Sequence, residues 1–517
     1  MRKPFLSANL VSVFATALVL VVSSGICSLA FAQQELMSST PKYTSLPGEE
    51  YFDFGNEPIR YIENDRVKLG FNLAIGGAVV YLEDKLNNSG NMINSCDWGR
   101  QIQLSYYSGP APFIGPNGEE PAKQWAGLGW NPIQAGDCDG YGSRVLQFEI
   151  RDDSTVFIKT RPMLWPNRGL LAECLFECLY KLTDNGFELT ATIINNRSDK
   201  TQYGGRNQET PAVYTNAPWY KLVTYLGDRP FENQPVTVIV DKNDGKGWPW
   251  LNYYSPERWN ALLNEDNYGL GVYQPNSTGI SGGYHGGDPT KGQPLGSTHT
   301  ATGYIAPREV TILDWNLTRS YKTTFIVGSL EEIRSTVYRL AKRDLSATPS
   351  WRFDVDRQNW YYRDTTDEGA PIQDSLKIYL NETTPARAVS PETFWKADDA
   401  KVLEIDAECL PLDDNNDVAQ FGILITPYSP ADDVDYFSWS IEGVVNATAD
   451  RDAKRKTHPV LPQISASIPV KFDSQRHVYR LKLDELENYK GGMKQLEIVL
   501  PQRAGKIRLY QVRFTKD

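Results

Sequence analysis

From about residue 49 to Val327, the chain consists of short segments in which apolar and polar residues alternate. Examples are "RVLQFEIR", "FELTATII" and "PVTVIV", and the clusters between such segments, such as "TDNG" and "KNDGKG", are typical of turns. Alternation with a period of two predicts strands that bury one face. Because no helical segment separates them, the strands are expected to pair antiparallel. This pattern predicts an all-β fold built around a large antiparallel sandwich.

One helix is predicted, and it ends the first domain. The segment "LEEIRSTVYRLAKR" has helical apolar spacing, and Ser329 with Glu332 forms a predicted capping box at its start. The predicted first domain covers residues 49–345, and "DLSATPS" is interpreted as a linker. A second β pattern covers residues 351–517, and its roughly eight short strands predict a C-terminal β-jelly-roll sandwich.

The N-terminal segment has the pattern of an export signal. A basic start, an apolar run from Val11 to Val22 and the small residues of Ala30–Ala32 predict a signal peptide over residues 1–32. The apolar run is short for a membrane span. The sequence therefore predicts an exported protein, periplasmic or extracellular, whose residues 33–48 form a flexible N-terminus.

Charge and aromatic content narrow the class of partner. The formal net charge is -11 and the sequence has no basic run, so a nucleic-acid or anionic-membrane partner is not expected. The chain has 28 Tyr and 13 Trp against 4 His. Aromatic rings stack on the apolar faces of sugars while their polar tips form hydrogen bonds. The composition favours a polysaccharide or oligosaccharide partner, although an aromatic β-core accounts for many of these rings.

The cysteines and acidic loops suggest no bound cofactor. Cys174 and Cys178 share one face of a predicted strand and are expected to be buried thiols, whereas Cys96 and Cys138 could form a bridge between two loops. No Cys/His spacing suggests zinc. Acidic stretches at 413–417 and 431–435 could hold structural calcium, or they are solvated loops.

Two segments resemble known carbohydrate-related families. "GFNLAIGGAVVYLEDKLNNSGNMIN" (Gly70 to Asn94) resembles the opening of galactose mutarotase-like β-supersandwich domains. The resemblance implies a supersandwich whose concave face binds carbohydrate. "HVYRLKLDELENYKGGMKQLEIVLP" and "KIRLYQVRF" resemble the last strands of galactose-binding-type carbohydrate-binding modules. Mutarotases use a histidine acid and a glutamate base, a pattern onto which this chain's few histidines do not align.

The stretch "SCDWGRQIQLSYYSGP" predicts a strand with one polar face. Strand alternation puts Gln101, Gln103 and Tyr107 on that face, and Asp97 and Arg100 lie in the loop entering it. Amides and a phenol in a row suit a sugar-binding groove, in which Arg100 also contacts substrate and Asp97 is a candidate catalytic acid. The alternative is that Asp97 and Arg100 form a structural ion pair.

Two further loops carry aromatic residues without periodicity. In "KQWAGLGWNPIQAGD", Trp130 and Gln134 are candidate substrate contacts and Asp137 is a candidate catalytic carboxylate. Trp165, in "RPMLWPN", is a fourth candidate of the same style. Loops with exposed aromatic residues often contact ligands. The alternative is that the Trp residues close one end of the sandwich.

Three more residues are candidates for proton transfer. Glu209 lies among amides and aromatics in "GGRNQETPAVYTNAPWY", a setting that can raise a carboxyl pKa as a general acid requires. His285 lies in the glycine-rich loop "GGYHGGD", and Tyr304 in "TGYIAP" could act as a base beside a cation. The alternatives are that Glu209 caps local N–H groups and that His285 is an ordinary loop residue.

Three functions are compatible with these residues. A glycoside hydrolase would use two of the three candidate carboxylates across a glycosidic bond. A polysaccharide lyase would use Tyr304 or His285 as base, with Arg100 and Gln101 neutralising a uronate. A non-catalytic glycan-binding protein would need only aromatics and amides. Hydrolysis is favoured because carboxylates outnumber basic residues in the candidate loops, and the acidic pI of about 5.1 mildly disfavours an anionic substrate.

Overall fold

The protein is described by a computed structural model that covers residues 40–239, 250–295, 301–341, 348–412, 417–429, 434–435 and 463–517. The predicted signal peptide and most of the two acidic segments considered for calcium lie outside the described residues. None of the described helices has the length and apolar character that a membrane crossing requires.

Strands dominate the described structure, which confirms the all-β prediction. Before the helix α1 (Leu330–Ala341), the strands are β1 (Ile59–Glu63), β2 (Val67–Asn72), β3 (Ala78–Asp84), β4 (Ile102–Ser105), β5 (Pro132–Ile133), β6 (Arg144–Asp152), β7 (Thr155–Arg161), β8 (Met163–Leu164), β9 (Cys174–Thr183), β10 (Gly186–Asn195), β11 (Arg206–Thr215), β12 (Lys221–Thr224), β13 (Thr237–Ile239), β14 (Leu251–Tyr254), β15 (Trp259–Leu263), β16 (Tyr268–Tyr273), β17 (Gly279–His285), β18 (Thr302–Thr311) and β19 (Thr318–Ser329). After it come β20 (Ser350–Arg352), β21 (Tyr361–Arg363), β22 (Leu376–Tyr379), β23 (Arg387–Val389), β24 (Trp395–Lys396), β25 (Val402–Pro411), β26 (Val418–Pro427), β27 (Val434–Asp435), β28 (Ile464–Lys471), β29 (Arg476–Lys482), β30 (Gly492–Val499) and β31 (Gly505–Thr515).

Two large antiparallel sheets form the N-terminal sandwich. The first sheet has the order β1-β2-β3-β4-β11-β18-β17-β14-β27, with β5 pairing with β4 and β8. The second sheet has the order β13-β12-β15-β16-β19-β10-β9-β7-β6. Apolar residues of both sheets meet in one core, in which the Phe187 and Phe325 rings stack at 4.3 Å. Alternation puts the other side chains of each strand on the outer face.

The helix α1 follows the second sheet directly and begins at the predicted capping box. The Ser329 N–H donates to Glu332 Oε2 at 2.8 Å, and the Glu332 N–H donates to Ser329 Oγ at 3.2 Å. These bonds satisfy backbone donors that the first turn leaves unpaired. Ile333 and Val337 are buried in a small core with Trp259, so the apolar stripe of the helix covers the second sheet.

The C-terminal part forms a second sandwich of two antiparallel sheets. One has the order β20-β31-β25-β29, with β22 also pairing with β31, and the other has the order β21-β23-β30-β26-β28, with β24 pairing with β30. Their inner faces share a core that includes Trp351, Trp360 and Phe421. The jelly-roll path of the chain stays a prediction.

Buried polar contacts and one shared sheet join the two sandwiches. The Arg357 guanidinium lies 2.7 Å from Asp314, at the end of the first sandwich, and 2.6 Å from Asp367 of the second. Ile312 packs into the C-terminal core. The short β27 pairs with β14, so the C-terminal part of the chain adds the last strand of the first sheet.

The structure differs from the expected flexibility of residues 33–48 and from the expected Cys96–Cys138 bridge. Part of the segment expected to be flexible is packed, because the Lys42 N–H donates to the Gly140 carbonyl at 3.0 Å and Thr44 Oγ1 donates to the Gly169 carbonyl at 2.7 Å. Cys96 and Cys138 are both free thiols rather than a bridge. Cys174 and Cys178 are buried on one face of β9, as the alternation predicts.

Candidate functional site

Glu209 occupies the centre of the first sheet, where two phenols hold its carboxylate. It lies in β11 opposite Ser105 of β4 and Arg308 of β18, and the register of β11 shifts just after it. Tyr107 Oη donates to Glu209 Oε2 at 3.0 Å, and Tyr304 Oη donates to Oε1. Both carboxylate oxygens therefore have a fixed partner while the side chain stays partly accessible to solvent.

The surroundings of Glu209 favour a carboxyl group that can exchange a proton. Burial raises its pKa, while hydrogen bonds from Tyr304, Ser105 and Tyr107 and the charge of Arg308 act in the opposite direction. Burial and the charge of Glu209 raise the pKa of both Tyr107 and Tyr304 well above the ordinary phenol value. The two phenols consequently keep their protons at neutral pH and act as hydrogen-bond donors.

An aromatic wall stands beside this carboxylate. The Trp250 ring lies 4.6 Å from the Tyr304 ring, and the Tyr214 ring lies 4.7 Å from Tyr304. The His285 ring is 6.3 Å from Trp250 in an edge-on arrangement. Tyr214 pairs with Tyr304 across β11 and β18, which keeps the two rings on one face of the sheet. Trp250 and Tyr304 are buried within this wall, and Tyr214 is the half-buried member of the three rings.

An ion pair lies near Tyr214 and His285. Arg100 Nε is 2.9 Å from Asp97 Oδ2, and Asp97 Oδ1 accepts from the Gly99 N–H at 2.9 Å. The carboxylates of Glu209 and Asp97 both add to the burial that raises the pKa of Tyr214. Together these residues are called the Glu209 cluster; its members are Asp97, Arg100, Tyr107, Glu209, Tyr214, Trp250, His285 and Tyr304.

The pKa of His285 is lowered in this setting. Its side chain is solvent-exposed at the end of β17, yet the protein around it reduces its solvation. The reduced solvation is the larger cause of the lowered pKa of His285, and the positive charge of Arg100 is the smaller one. An imidazole without its proton can accept one near neutral pH.

Gln103 of β4 and Gln101, which directly precedes that strand, support the site and do not line it. Gln101 and Gln103 share the face predicted from alternation, but both are buried. Gln101 Nε2 donates to the Asp97 carbonyl at 2.5 Å, and Gln103 Nε2 donates to the Trp98 carbonyl at 3.2 Å. Their amides thereby fix the loop that carries Asp97 and Arg100.

Three other candidates for substrate contact lie in packed regions outside the cluster. Trp130 is 1% exposed in the main core, with the Arg197 guanidinium 5.1 Å above its ring. Trp165 is buried against Trp125, with ring centroids 5.7 Å apart. Gln134 is buried and donates to the Gly76 carbonyl at 3.2 Å. These positions agree with the alternative interpretation, in which the loop residues close one end of the sandwich.

Asp137 also lies outside the Glu209 cluster, in a loop that it holds together. Its carboxylate accepts from the N–H groups of Asp139 and Tyr141, each at 2.9 Å, and from that of Gly169 at 2.5 Å. Burial raises its pKa to about 6 against these donors. The contacts give Asp137 a role in loop structure.

Sequence reasoning did not select Tyr214 and Trp250. Tyr214 is five positions from Glu209, so strict alternation predicts opposite faces of β11. The register shift between Glu209 and Val213 brings both side chains to the same face, and a shift of this kind has no clear sequence signal. Trp250 directly precedes β14 and follows a segment that contains glycines. In the sequence, only its residue type indicated that it could belong to the site.

Within the described parts of the chain, no group of three or more His, Cys, Asp and Glu residues could hold a metal ion. Comparison with models of protein families gives no match, and comparison with curated proteins gives none either.

Several solved structures are similar to about half of the chain. A galactose mutarotase-like protein from Lactobacillus casei ATCC 334 matches at 13% identity and a TM-score of 0.34, covering 52% of this chain and 99% of that one. A putative aldose 1-epimerase from Escherichia coli K12 matches at 10% identity and a TM-score of 0.34, covering 53% and 99%. The GH36 alpha-galactosidase AgaB from Geobacillus stearothermophilus matches at 8% identity and a TM-score of 0.32, covering 54% and 41%. The neighbours include the family that the sequence resembles, but similarity this low transfers no residue role.

Proposed function

We propose that the protein is a carbohydrate-active enzyme that cleaves glycosidic bonds of a poly- or oligosaccharide at the Glu209 cluster. The observation that carries the proposal is the setting of Glu209, a partly accessible carboxyl with a raised pKa, held by two protonated phenols beside an aromatic wall. Such a carboxyl can give a proton to a leaving oxygen. The predicted export signal fits action on glycans outside the cytoplasm.

The aromatic wall supports a sugar as the substrate. Trp250 and Tyr214 meet the Tyr304 ring at 4.6 and 4.7 Å, so the three rings pack together next to the carboxyl. Trp250 and Tyr304 are buried, and Tyr214 is half-buried. Stacking on the half-buried Tyr214 ring would orient a pyranose next to Glu209.

Hydrolysis is the favoured reaction because two carboxylates, those of Glu209 and Asp97, both lie near Tyr214 and add to the burial that raises its pKa. Glu209 has a raised pKa and suits the acid role. Asp97, paired with Arg100 at 2.9 Å, is the second carboxylate and takes the role of base or nucleophile. Two such carboxylates flanking a glycosidic bond are the requirement of most glycoside hydrolases.

A polysaccharide lyase is the second candidate, and His285 is the observation that favours it. Its lowered pKa leaves a neutral imidazole that could remove the proton next to a uronate. Two features weigh against this reaction. Tyr304 has a pKa raised well above the phenol value, so it is a poor base, and Arg100 is already bound to Asp97.

Incubation of the protein with a panel of neutral and acidic polysaccharides tests the proposal. Release of reducing ends without the ultraviolet absorbance of an unsaturated uronate would support hydrolysis. Both signals together would support the lyase. Retention on one glycan in affinity gels, with neither signal from any polymer, would contradict cleavage and leave a glycan-binding protein.

A further inference from the structure

The outer face of the five-stranded C-terminal sheet carries a concentration of positive charge. The inner positions of β25 and β31, such as Ile405 and Val512, lie in the core, so the alternate positions face outward. Across β20, β22, β25, β29 and β31 the outward positions hold eight Lys or Arg and three Asp or Glu. The whole chain has a net charge of -11, so this face is opposite in sign to the rest of the molecule.

The three acids form a central row, and arginines lie on both sides of it. Glu404, Asp406 and Glu408 follow one another along β25, which lies between β29 and β31. The ion pairs are Arg480–Glu404 at 2.7 Å, Arg513–Glu404 at 2.5 Å, Arg476–Asp406 at 2.7 Å and Arg508–Glu408 at 2.9 Å. Four arginines thus face three carboxylates, and the pairs hold the guanidinium groups in fixed positions.

The remaining cations extend the positive face beyond this row. Arg352, Lys377, Lys482 and Lys506 occupy outward positions on the flanking strands. Arg480 is 70% exposed, Lys482 70% and Arg352 72%, so these charges are open to solvent. Acids beyond the strands pair with these cations: Asp354 with Arg352 at 2.8 Å, Glu485 with Lys482 at 2.9 Å, and Glu368 with Lys506 at 3.0 Å and Lys377 at 3.4 Å. Eight cations thus stand against six acids, which leaves the face with an excess of two positive charges.

The aromatic residues of this face are covered by cations. Tyr379 and Tyr510 are the aromatic side chains at the outward positions of these five strands. Arg476 lies 3.9 Å above the Tyr510 ring, and Lys506 lies 4.9 Å above the Tyr379 ring. A neutral sugar would need an open ring to stack on. The face therefore offers charge rather than stacking.

We propose that this basic face binds an anionic polysaccharide, one that carries sulfate or carboxylate groups along its length. The proposal rests on the proposed function for the choice of a glycan, and it names the polymer class. A row of anionic groups complements cations that repeat along and across neighbouring strands.

Affinity gel electrophoresis of the full chain carrying Glu209→Gln tests binding apart from cleavage. The probes are dextran sulfate, polygalacturonate and unmodified dextran. Dextran sulfate or polygalacturonate should slow migration, dextran should not, and added salt should weaken the effect. Sulfate and carboxylate recognition are distinguished by which anionic polymer gives the stronger effect.

Matched variants locate the binding surface. The face variant combines Arg352→Gln, Lys482→Gln and Lys506→Gln, and the control combines Arg168→Gln, Lys291→Gln and Lys322→Gln, which are exposed cations of the first sandwich. Both lose three positive charges. The face variant should bind the anionic polymer about fivefold more weakly, and the control should bind as the parent does.

Several outcomes would overturn the proposal. Equal weakening in both variants would mean that net charge, not this face, governs binding. Equal retention by unmodified dextran would point to stacking at another surface. A concentration-dependent dimer that the face variant abolishes, without polymer binding, would identify a second copy as the occupant. Absence of cleavage by the parent protein would not affect these results, so the two proposals fail separately.

Discussion

Tyr304 donates its phenolic hydrogen to Glu209 Oε1, although the two residues lie 95 positions apart in the sequence. The pairing of β11 with β18 brings them together, because Glu209 lies opposite Arg308, which shares a face of β18 with Tyr304. This bond links the candidate proton donor to the aromatic wall. A change in either residue should therefore alter the titration of the site as well as its shape.

Replacing the Glu209 carboxyl should abolish proton transfer without removing the fold. We expect Glu209→Gln to reduce cleavage by about 10²- to 10⁴-fold, the usual contribution of a general acid or base. The measurement is the rate of reducing-end release on the polymer that the parent cleaves. Glu177→Gln, on the second sheet with Lys159 as its partner at 2.9 Å, is the control and should keep full activity. Equal rates for parent and Glu209→Gln would remove Glu209 from the mechanism.

Removing the Tyr304 hydroxyl should shift the pH dependence of the reaction. The hydrogen bond from Tyr304 lowers the pKa of Glu209 against the effect of burial, so Tyr304→Phe should raise that pKa further. The limb of the pH–rate profile that reports Glu209 should move to higher pH. Tyr338→Phe removes a similar bond, to Glu257 at 2.8 Å outside the cluster, and should leave the profile unchanged. A shift to lower pH would contradict the assignment.

The raised pKa of Glu209 also predicts a pH-dependent stability difference. Below the ordinary glutamate range the carboxyl is protonated in both folded and unfolded chains. As the pH rises, the unfolded chain loses this proton first, so the folded parent loses stability until its own pKa is passed. The free energy of unfolding is measured with urea at several pH values. The value for Glu209→Gln minus the value for the parent should therefore increase as pH rises. An advantage that shrinks with rising pH would show that the folded pKa is lowered.

The charge of Arg100 should be detectable at His285. Because Arg100 adds to the reduced solvation that lowers the pKa of His285, Arg100→Gln should raise it toward the ordinary value. Proton NMR titration can follow the four histidines, and the spectrum of His285→Gln assigns the signal. Arg168→Gln, which removes an exposed arginine paired with Asp139, should not move this signal. An unchanged His285 titration in Arg100→Gln would mean that the two groups do not interact.

The buried contact of Arg357 with Asp314 and Asp367 should contribute strongly to the free energy of unfolding of the chain. Arg357→Ala would leave Asp314 and Asp367 buried without their counter-ion, and we expect it to cost about 3 to 5 kcal/mol in the free energy of unfolding. Arg352→Ala removes a 72% exposed arginine nearby in the sequence and should change stability by less than about 0.5 kcal/mol. Urea denaturation measures both. Similar values for the two variants would show that the buried contact is not a stabilising one.

The sequence predicted those features that depend on local periodicity. Alternation identified the all-β class and the shared face of Cys174 and Cys178, and the capping box identified the start of α1 at Ser329. Each of these follows from the spacing of side chains along one element.

The sequence could not predict what depends on the meeting of distant strands. It assigned Glu209, Tyr304 and His285 to separate segments, and only the pairing of β11, β17 and β18 places them on one sheet. It also selected Trp130, whose burial depends on packing between the sheets. The basic face escaped detection because its cations occupy alternate positions on five strands, so no basic run exists in the sequence.

The pairing of β27 with β14 has a consequence for how the protein can be divided. Asn252 and Tyr253 of the first sandwich pair in backbone register with Asp435 and Val434 of the C-terminal part. A chain cut after α1 would leave β14 as an open sheet edge, and such edges recruit strands from other molecules. The isolated N-terminal sandwich would then be prone to aggregate. By pairing with β14, the C-terminal part covers this edge and protects it from pairing with other molecules.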